Sequence, residues 1–292
     1  MPDQLSDPAS PYPRPRGESG APEHPAPADA SRPSSERSEA ERATPASTPD
    51  AAHRPRRRRK RTDWREGGRA VRRWDLTVLS AALIGVGIGV VGGGAVSRIA
   101  APWAPLASTV VLWAGLGAAI AFAFLRGRPA GLLRFRPTDL LWGLGLGIAL
   151  RMMQGWVSGA DAASFPSAVS LDGSLPSGWW LTDALPAGVI APVVEEFFFR
   201  TVVLVAVYQL LRRGVGGVAA GMTALLVSAG GFVLLHATAG VLTLSDGIQL
   251  FAVGATCALV VLLTGRIWAA VLTHVVYNVT YLALVVVGTA LI

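Results

Sequence analysis

Residues 185–211 read LPAGVIAPVVEEFFFRTVVLVAVYQLL, and the fold turns on the Glu195-Glu196-Phe197-Phe198-Phe199-Arg200 at their centre. The stretch is otherwise apolar and long enough to cross a bilayer as a helix. An ionised group at bilayer depth costs at least ~3 kcal/mol on insertion scales, so a pair of carboxylates there needs partners and points to function. The chain offers Arg200 on the same stretch, His236 on the next apolar segment, and His274 with Asn278 on the last.

Composition agrees with that reading, because 51% hydrophobic and 15% charged residues describe a membrane protein and exclude an ordinary soluble domain. Apolar segments recur at 76–97, 105–125, 138–157, 185–211, 217–240, 247–265 and 267–291, each about the length that spans ~30 Å of hydrocarbon. The expected fold class is therefore all-α, a polytopic membrane helical bundle of about seven spans with a disordered N-terminal tail.

Sixteen of the 26 Lys+Arg lie at or before Arg73, so the N-terminal quarter is a different material from the rest. Residues 1 to about 52 are rich in Pro, Ser, Ala, Glu and Asp and cannot bury enough surface to order themselves. The basic run from Arg54 through Arg61, continuing with Arg65, Arg69, Arg72 and Arg73, sits just before the first span. That position favours anionic lipid headgroups as its partner over nucleic acid. Arg126, Arg128, Arg134, Arg136, Arg212, Arg213 and Arg266 fall between spans on the same side as this run. Arg98, Asp161, Asp172, Asp183 and Asp246 fall on the other. Basic residues stay cytoplasmic, which places the N-terminus inside and the C-terminus outside.

Other patterns carry little chemistry. Gly87-Ile88-Gly89-Val90-Val91-Gly92 has dinucleotide-loop spacing but lies within a span, where close helix packing is the better account, as for Gly143, Gly145 and Gly147. Cys257 is the only cysteine, so no intrachain disulfide forms, and its place in a span makes it a small apolar filler. Arg151, late in the third span, either lines a cavity or snorkels to the interface. The loop from Ser158 to Asp183 reads equally as a flexible cap and as a connector.

The chemistry concentrates in three segments. On a helix Glu196 and Arg200 are four residues apart and form a pair that neutralises itself, leaving Glu195 as the free carboxylate. Phe232 and His236 share a face by the same spacing, as do His274 and Asn278. Each of these polar groups is costly in a membrane unless paired, so together they outweigh a purely structural role.

Glu195-Glu196-x-x-x-Arg200, Phe232-x-x-x-His236 and His274-x-x-x-Asn278, in this order on successive apolar segments, resemble the CPBP family of intramembrane glutamate endopeptidases. That family includes the type II CAAX prenyl proteases and Abi-like bacteriocin-processing or immunity proteins. The resemblance covers about residues 185–291. It implies a catalytic core over 185–292; the membrane spans over 76–184 and the disordered, polybasic cytoplasmic tail over 1–75 are read from composition and hydropathy and carry no part of the resemblance. It implies that Glu195 with His236 activates a water, that His274 and the Asn278 amide donate to an oxyanion, and that Glu196 and Arg200 hold the helix. Phe232 is expected beside the substrate pocket, helping to exclude bulk water. No cofactor is implied.

Two alternatives stand beside hydrolysis by an activated water. Glu195, His236 and His274 could serve as three metal ligands, although no H-E-x-x-H helix is present and Asn278 is a poor zinc ligand. A non-catalytic scaffold or immunity protein on the same fold is the other. The expected substrate is a membrane-associated peptide or protein. One lysine among 26 basic residues, with abundant Ala, Gly and Arg, suggests a GC-rich bacterial genome and hence the bacterial plasma membrane.

Overall fold

A computed structural model describes residues 63–168 and 174–291, and these are helical with no strand among them. The expected disorder of residues 1–62, the basic residues Arg54 to Arg61 and Asp172 lie outside the described residues.

Six α-helices are long and apolar enough to cross a membrane. They are α1 (Leu76–Ser97), α2 (Ala104–Arg126), α3 (Thr138–Val157), α6 (Gly217–Ala237), α7 (Leu244–Thr264) and α8 (Trp268–Ala290). Most of their bounds fall within a few residues of the hydropathy segments, and local chemistry sets the rest. The helix α7 starts at Leu244, before its apolar run, because Thr243 and Asp246 form a reciprocal capping box. It stops at Gly265, whose φ of 71° is the left-handed cap conformation that a glycine adopts without strain.

The remaining expected span differs from the regular helix expected over 185–211. Residues 179–215 are helical without a break, but the backbone widens to π-helix over Trp180–Ala184, Pro186–Ile190 and Phe197–Val203. Between and after these lie α4 (Ala191–Glu196) and α5 (Leu204–Val215). Pro186 and Pro192 each stand at the start of a segment, where a missing N–H costs least. The Phe199 carbonyl accepts from the Leu204 N–H across one such wide turn and also from Ser228 on α6 at 3.0 Å.

Small residues set the closest approaches. Gly85, Gly89 and Gly93 of α1 face α2, and a methyl on Gly85 would lie 2.7 Å from the Gly115 carbonyl oxygen. Of the glycines expected to pack α1, Gly89 belongs to this stripe and Gly92 lies beside it, where a methyl would come 3.1 Å from Val111 of α2, whereas a side chain at Gly87 would meet open space. Gly143 and Gly147 let α3 close on α8, whereas Gly145 faces away. The period of four selects one helix face, which the G-x-G-x-x-G spacing does not follow.

Residues 63–75, assigned to the disordered tail on composition, are folded. Two 3-10 turns, Trp64–Glu66 and Arg69–Val71, bury Trp64, Val71 and Trp74 to 1%, 1% and 2% exposure. The indole of Trp64 donates to the Gly265 carbonyl, and Arg65 donates to the carbonyls of Leu262 and Leu263 at the end of α7. Tyr208 and Arg212 return the contact by donating to the Arg65 carbonyl. Arg65 therefore caps a helix C-terminus, where a cation meets unpaired carbonyls. Three apolar anchors within a basic run are enough to dock this segment beneath the bundle. A second pair fixes the same end: Asp139, fully buried at the start of α3, binds Arg266 at 2.6 Å between α7 and α8.

Candidate active site

The long helix, α6 and α8 bring all three motifs together. Glu196 and Arg200 are both fully buried and pair at 3.1 Å between Oε2 and Nε. The other oxygen of Glu196 lies 3.0 Å from His274 Nδ1. Nδ1–H is thus the donor to the carboxylate, which leaves Nε2 as the ring's other nitrogen. That nitrogen is 4.0 Å from Glu195 Oε2. Polar groups therefore follow one another in the order Arg200, Glu196, His274, Glu195.

The pairing of Glu196 with His274 goes beyond the self-neutralising pair read from the spacing of Glu196 and Arg200. Residues 78 positions apart meet here, and no local pattern signals it. Arg200 also donates to the Gly254 carbonyl of α7 at 3.2 Å and lies with its guanidinium carbon 4.8 Å from the Phe232 ring centre. Burial of a charge at this depth is tolerated when it is paired and further bonded, as here.

Glu195 and His236 face elsewhere. Both line a cavity of about 410 Å³ whose wall continues to Thr182, Asp183 and Thr238. These three lie at the ends of their helices remote from Arg212 and Arg266. His236 Nδ1 is 2.9 Å from the Phe232 carbonyl, an acceptor only, so Nδ1 holds the proton and Nε2 is left for another partner.

Two residues stand apart from their expected positions. Phe232 is fully buried and is not part of the cavity wall. Its ring centre is 4.5 Å from that of His236 and 5.5 Å from that of His274, so it separates the two imidazoles as a packing residue. Asn278 donates its amide to the Ala187 carbonyl at 2.8 Å, tying α8 to the π turn that follows Pro186. Arg151 is held by an aromatic ring and by two acceptors. It stacks 4.0 Å from the Tyr277 ring centre and donates to the Tyr277 carbonyl and to Gln154 on its own helix. Cys257 is buried as expected, with its thiol 3.6 Å from the Ala270 carbonyl. Among the described residues no group of three or more His, Cys, Asp or Glu is placed to hold a metal ion.

Sequence reasoning missed Asp183 in the cavity wall and the Asp139–Arg266 pair. Asp183 gave only the signal of an acid in a loop; hydropathy places it outside a span, while the early helical start at Trp180 carries it to the cavity.

No curated protein and no solved structure matches the chain. A family model described as type II CAAX prenyl endopeptidase Rce1-like matches residues 177–280. That range contains Glu195, Glu196, Arg200, Phe232, His236, His274 and Asn278, every residue on which the resemblance was built. The helical segment that holds these side chains together is thus similar, over residues 177–280, to the type II CAAX prenyl endopeptidase Rce1-like family.

Proposed function

We propose that the protein is an intramembrane endopeptidase in which Glu195 activates a water against a peptide bond of a membrane-associated substrate. The observation that carries this reading is the division of two adjacent glutamates. Glu196 is held in a dry pair of contacts with Arg200 and His274, while Glu195 faces a cavity that also exposes His236. A water between them gives one proton to the Glu195 carboxylate as its oxygen attacks the carbonyl carbon, and its second hydrogen bonds His236 Nε2. Asn278, which donates to the carbonyl of the cavity residue Ala187, keeps a second amide N–H for the developing oxyanion. Glu195 then returns the proton to the amide nitrogen, the C–N bond breaks, and an acid and an amine leave. His274 positions Glu195, and Glu196 with Arg200 positions His274.

The cavity reaches Thr182, Asp183 and Thr238, on the face of the bundle opposite the arginines. With basic residues cytoplasmic, the substrate enters from the extracytoplasmic side of a bacterial plasma membrane. A bacterial membrane peptide fits this better than a cytosolic prenylated C-terminus. The testing experiment compares membrane peptides of a wild-type strain with those of a Glu195→Gln strain. A cleavage lost in the variant and restored by the wild-type gene supports the reading; identical peptide profiles overturn it. Repeating the cleavage with a strong chelator separates a carboxylate-activated water from a metal-bound one, since only the second is lost.

A further inference from the structure

At the basic end of the bundle, away from the catalytic residues, a concave site of about 100 Å³ is lined by Asp63, Arg65, Gly131, Arg134, Arg136 and Arg266, among others. Two of its arginines are already matched. Arg65 pairs with Asp63 at 2.8 Å, and Arg266 pairs with the buried Asp139 at 2.6 Å. Arg134 and Arg136 have no side-chain partner among the described residues, and the one carboxylate in the wall, Asp63, has both oxygens bonded to Arg65. Two uncompensated guanidinium groups over one hollow repel each other, and an anion seated between them relieves that repulsion.

The loop that carries them is anchored. The Leu132 side chain is fully buried, its carbonyl accepts from Ile267 N at 2.9 Å, and Trp268 Nε1 donates to the Leu133 carbonyl at 2.8 Å. Arg136 N donates to Asp139 at 2.9 Å, which fixes the other end. The site is thus built before any ligand arrives. Between the two arginines Phe135 is 50% exposed, an aromatic ring at the level where α3 and α8 begin. A basic-aromatic-basic sequence at that level suits the border between headgroups and hydrocarbon.

We propose that this hollow binds a phosphate group, with Arg134 and Arg136 as the ligating cations and the headgroup of an anionic phospholipid as its source. The assignment is independent of the catalytic reading. It also differs from a general attraction of the polybasic tail, because Arg65 is already engaged as a helix cap.

The test uses the full chain in a neutral detergent, titrated with short-chain phosphatidylglycerol and followed by thermophoresis. The Arg134→Gln/Arg136→Gln variant is expected to bind ~30-fold more weakly than wild type, at the usual increment per basic residue. Arg128→Gln/Arg213→Gln removes equal charge from exposed arginines outside both the hollow and the N-terminal basic run and is expected to bind as wild type. Inorganic phosphate is the second probe. If it displaces the lipid only at far higher concentration, the lipid headgroup is the source; if it competes at equal concentration, a free phosphate is. Equal binding by wild type and the Arg134/Arg136 variant overturns the site, as does an equal loss in the control variant. Should the double variant fail to fold, Arg134→Gln alone is expected to lose ~5-fold.

Discussion

Glu195 and Glu196 are neighbours in the chain with opposite surroundings. Glu196 is sealed at 0% exposure and has a partner on each oxygen, Arg200 on one and His274 on the other. Glu195 keeps 12% of its side chain exposed, has only a 4.0 Å approach from His274, and faces the cavity. A helix turns about 100° per residue, so adjacent carboxylates cannot share one environment. The difference teaches that the expensive part of this site, a buried charge network, and the reactive part are separate groups on one turn. One stabilises position and the other is left under-bonded.

The largest test of this division is one of access. In a Cys257→Ala background, Asp183→Cys on the cavity wall is expected to react fully with a membrane-impermeant maleimide from the extracytoplasmic side of intact cells. Arg128→Cys, at the basic end, is expected to react only after the membrane is inverted. Labelling of both from the same side would place the cavity and the arginines together and break the proposed sidedness.

The next effect concerns the sealed side. Arg200→Ala leaves Glu196 buried without its cation and is expected to cost roughly 3 to 5 kcal/mol in detergent unfolding. Adding Glu196→Gln should recover a large part of that loss, because the stranded charge is then gone. If the double variant is as unstable as the sum of the singles, the two side chains are not a coupled pair.

Asn278→Ala separates its two roles. Losing the bond to Ala187 is expected to cost ~1 kcal/mol of stability. Loss of an oxyanion donor would lower the cleavage rate by ~100-fold or more as well. A stability loss with an unchanged rate would make Asn278 only a tie between α8 and the long helix.

The smallest expected effect is on the open side. Glu195→Gln has no buried charge partner to strand, so its unfolding free energy should stay within ~0.5 kcal/mol of wild type. A loss as large as that of Arg200→Ala would mean that Glu195 is as structural as its neighbour.

The spans and the motif residues were legible because hydropathy and a period of four survive in a single sequence. α1 and α3 begin and end where the apolar runs do, and Glu196–Arg200 was read from spacing alone. Three things were not legible, each for a physical reason. His274–Glu196 and Arg266–Asp139 join residues 78 and 127 positions apart, and tertiary packing decides such pairs. The docking of Trp64, Val71 and Trp74 was hidden because charged neighbours dominate the composition of that segment. The π turns around Pro186 and Phe197 left only the prolines as a hint, and they moved the helix start to where Thr182 and Asp183 join the cavity.

The most direct test of the central claim is the cleavage rate of purified Glu195→Gln on a membrane peptide found by the strain comparison, measured beside its melting temperature. A positioned base contributes ~100-fold or more, so the predicted result is a rate below about a hundredth of wild type with an unchanged melting temperature. A variant that keeps more than about a tenth of the wild-type rate would contradict the account, because the water would then be activated by another group.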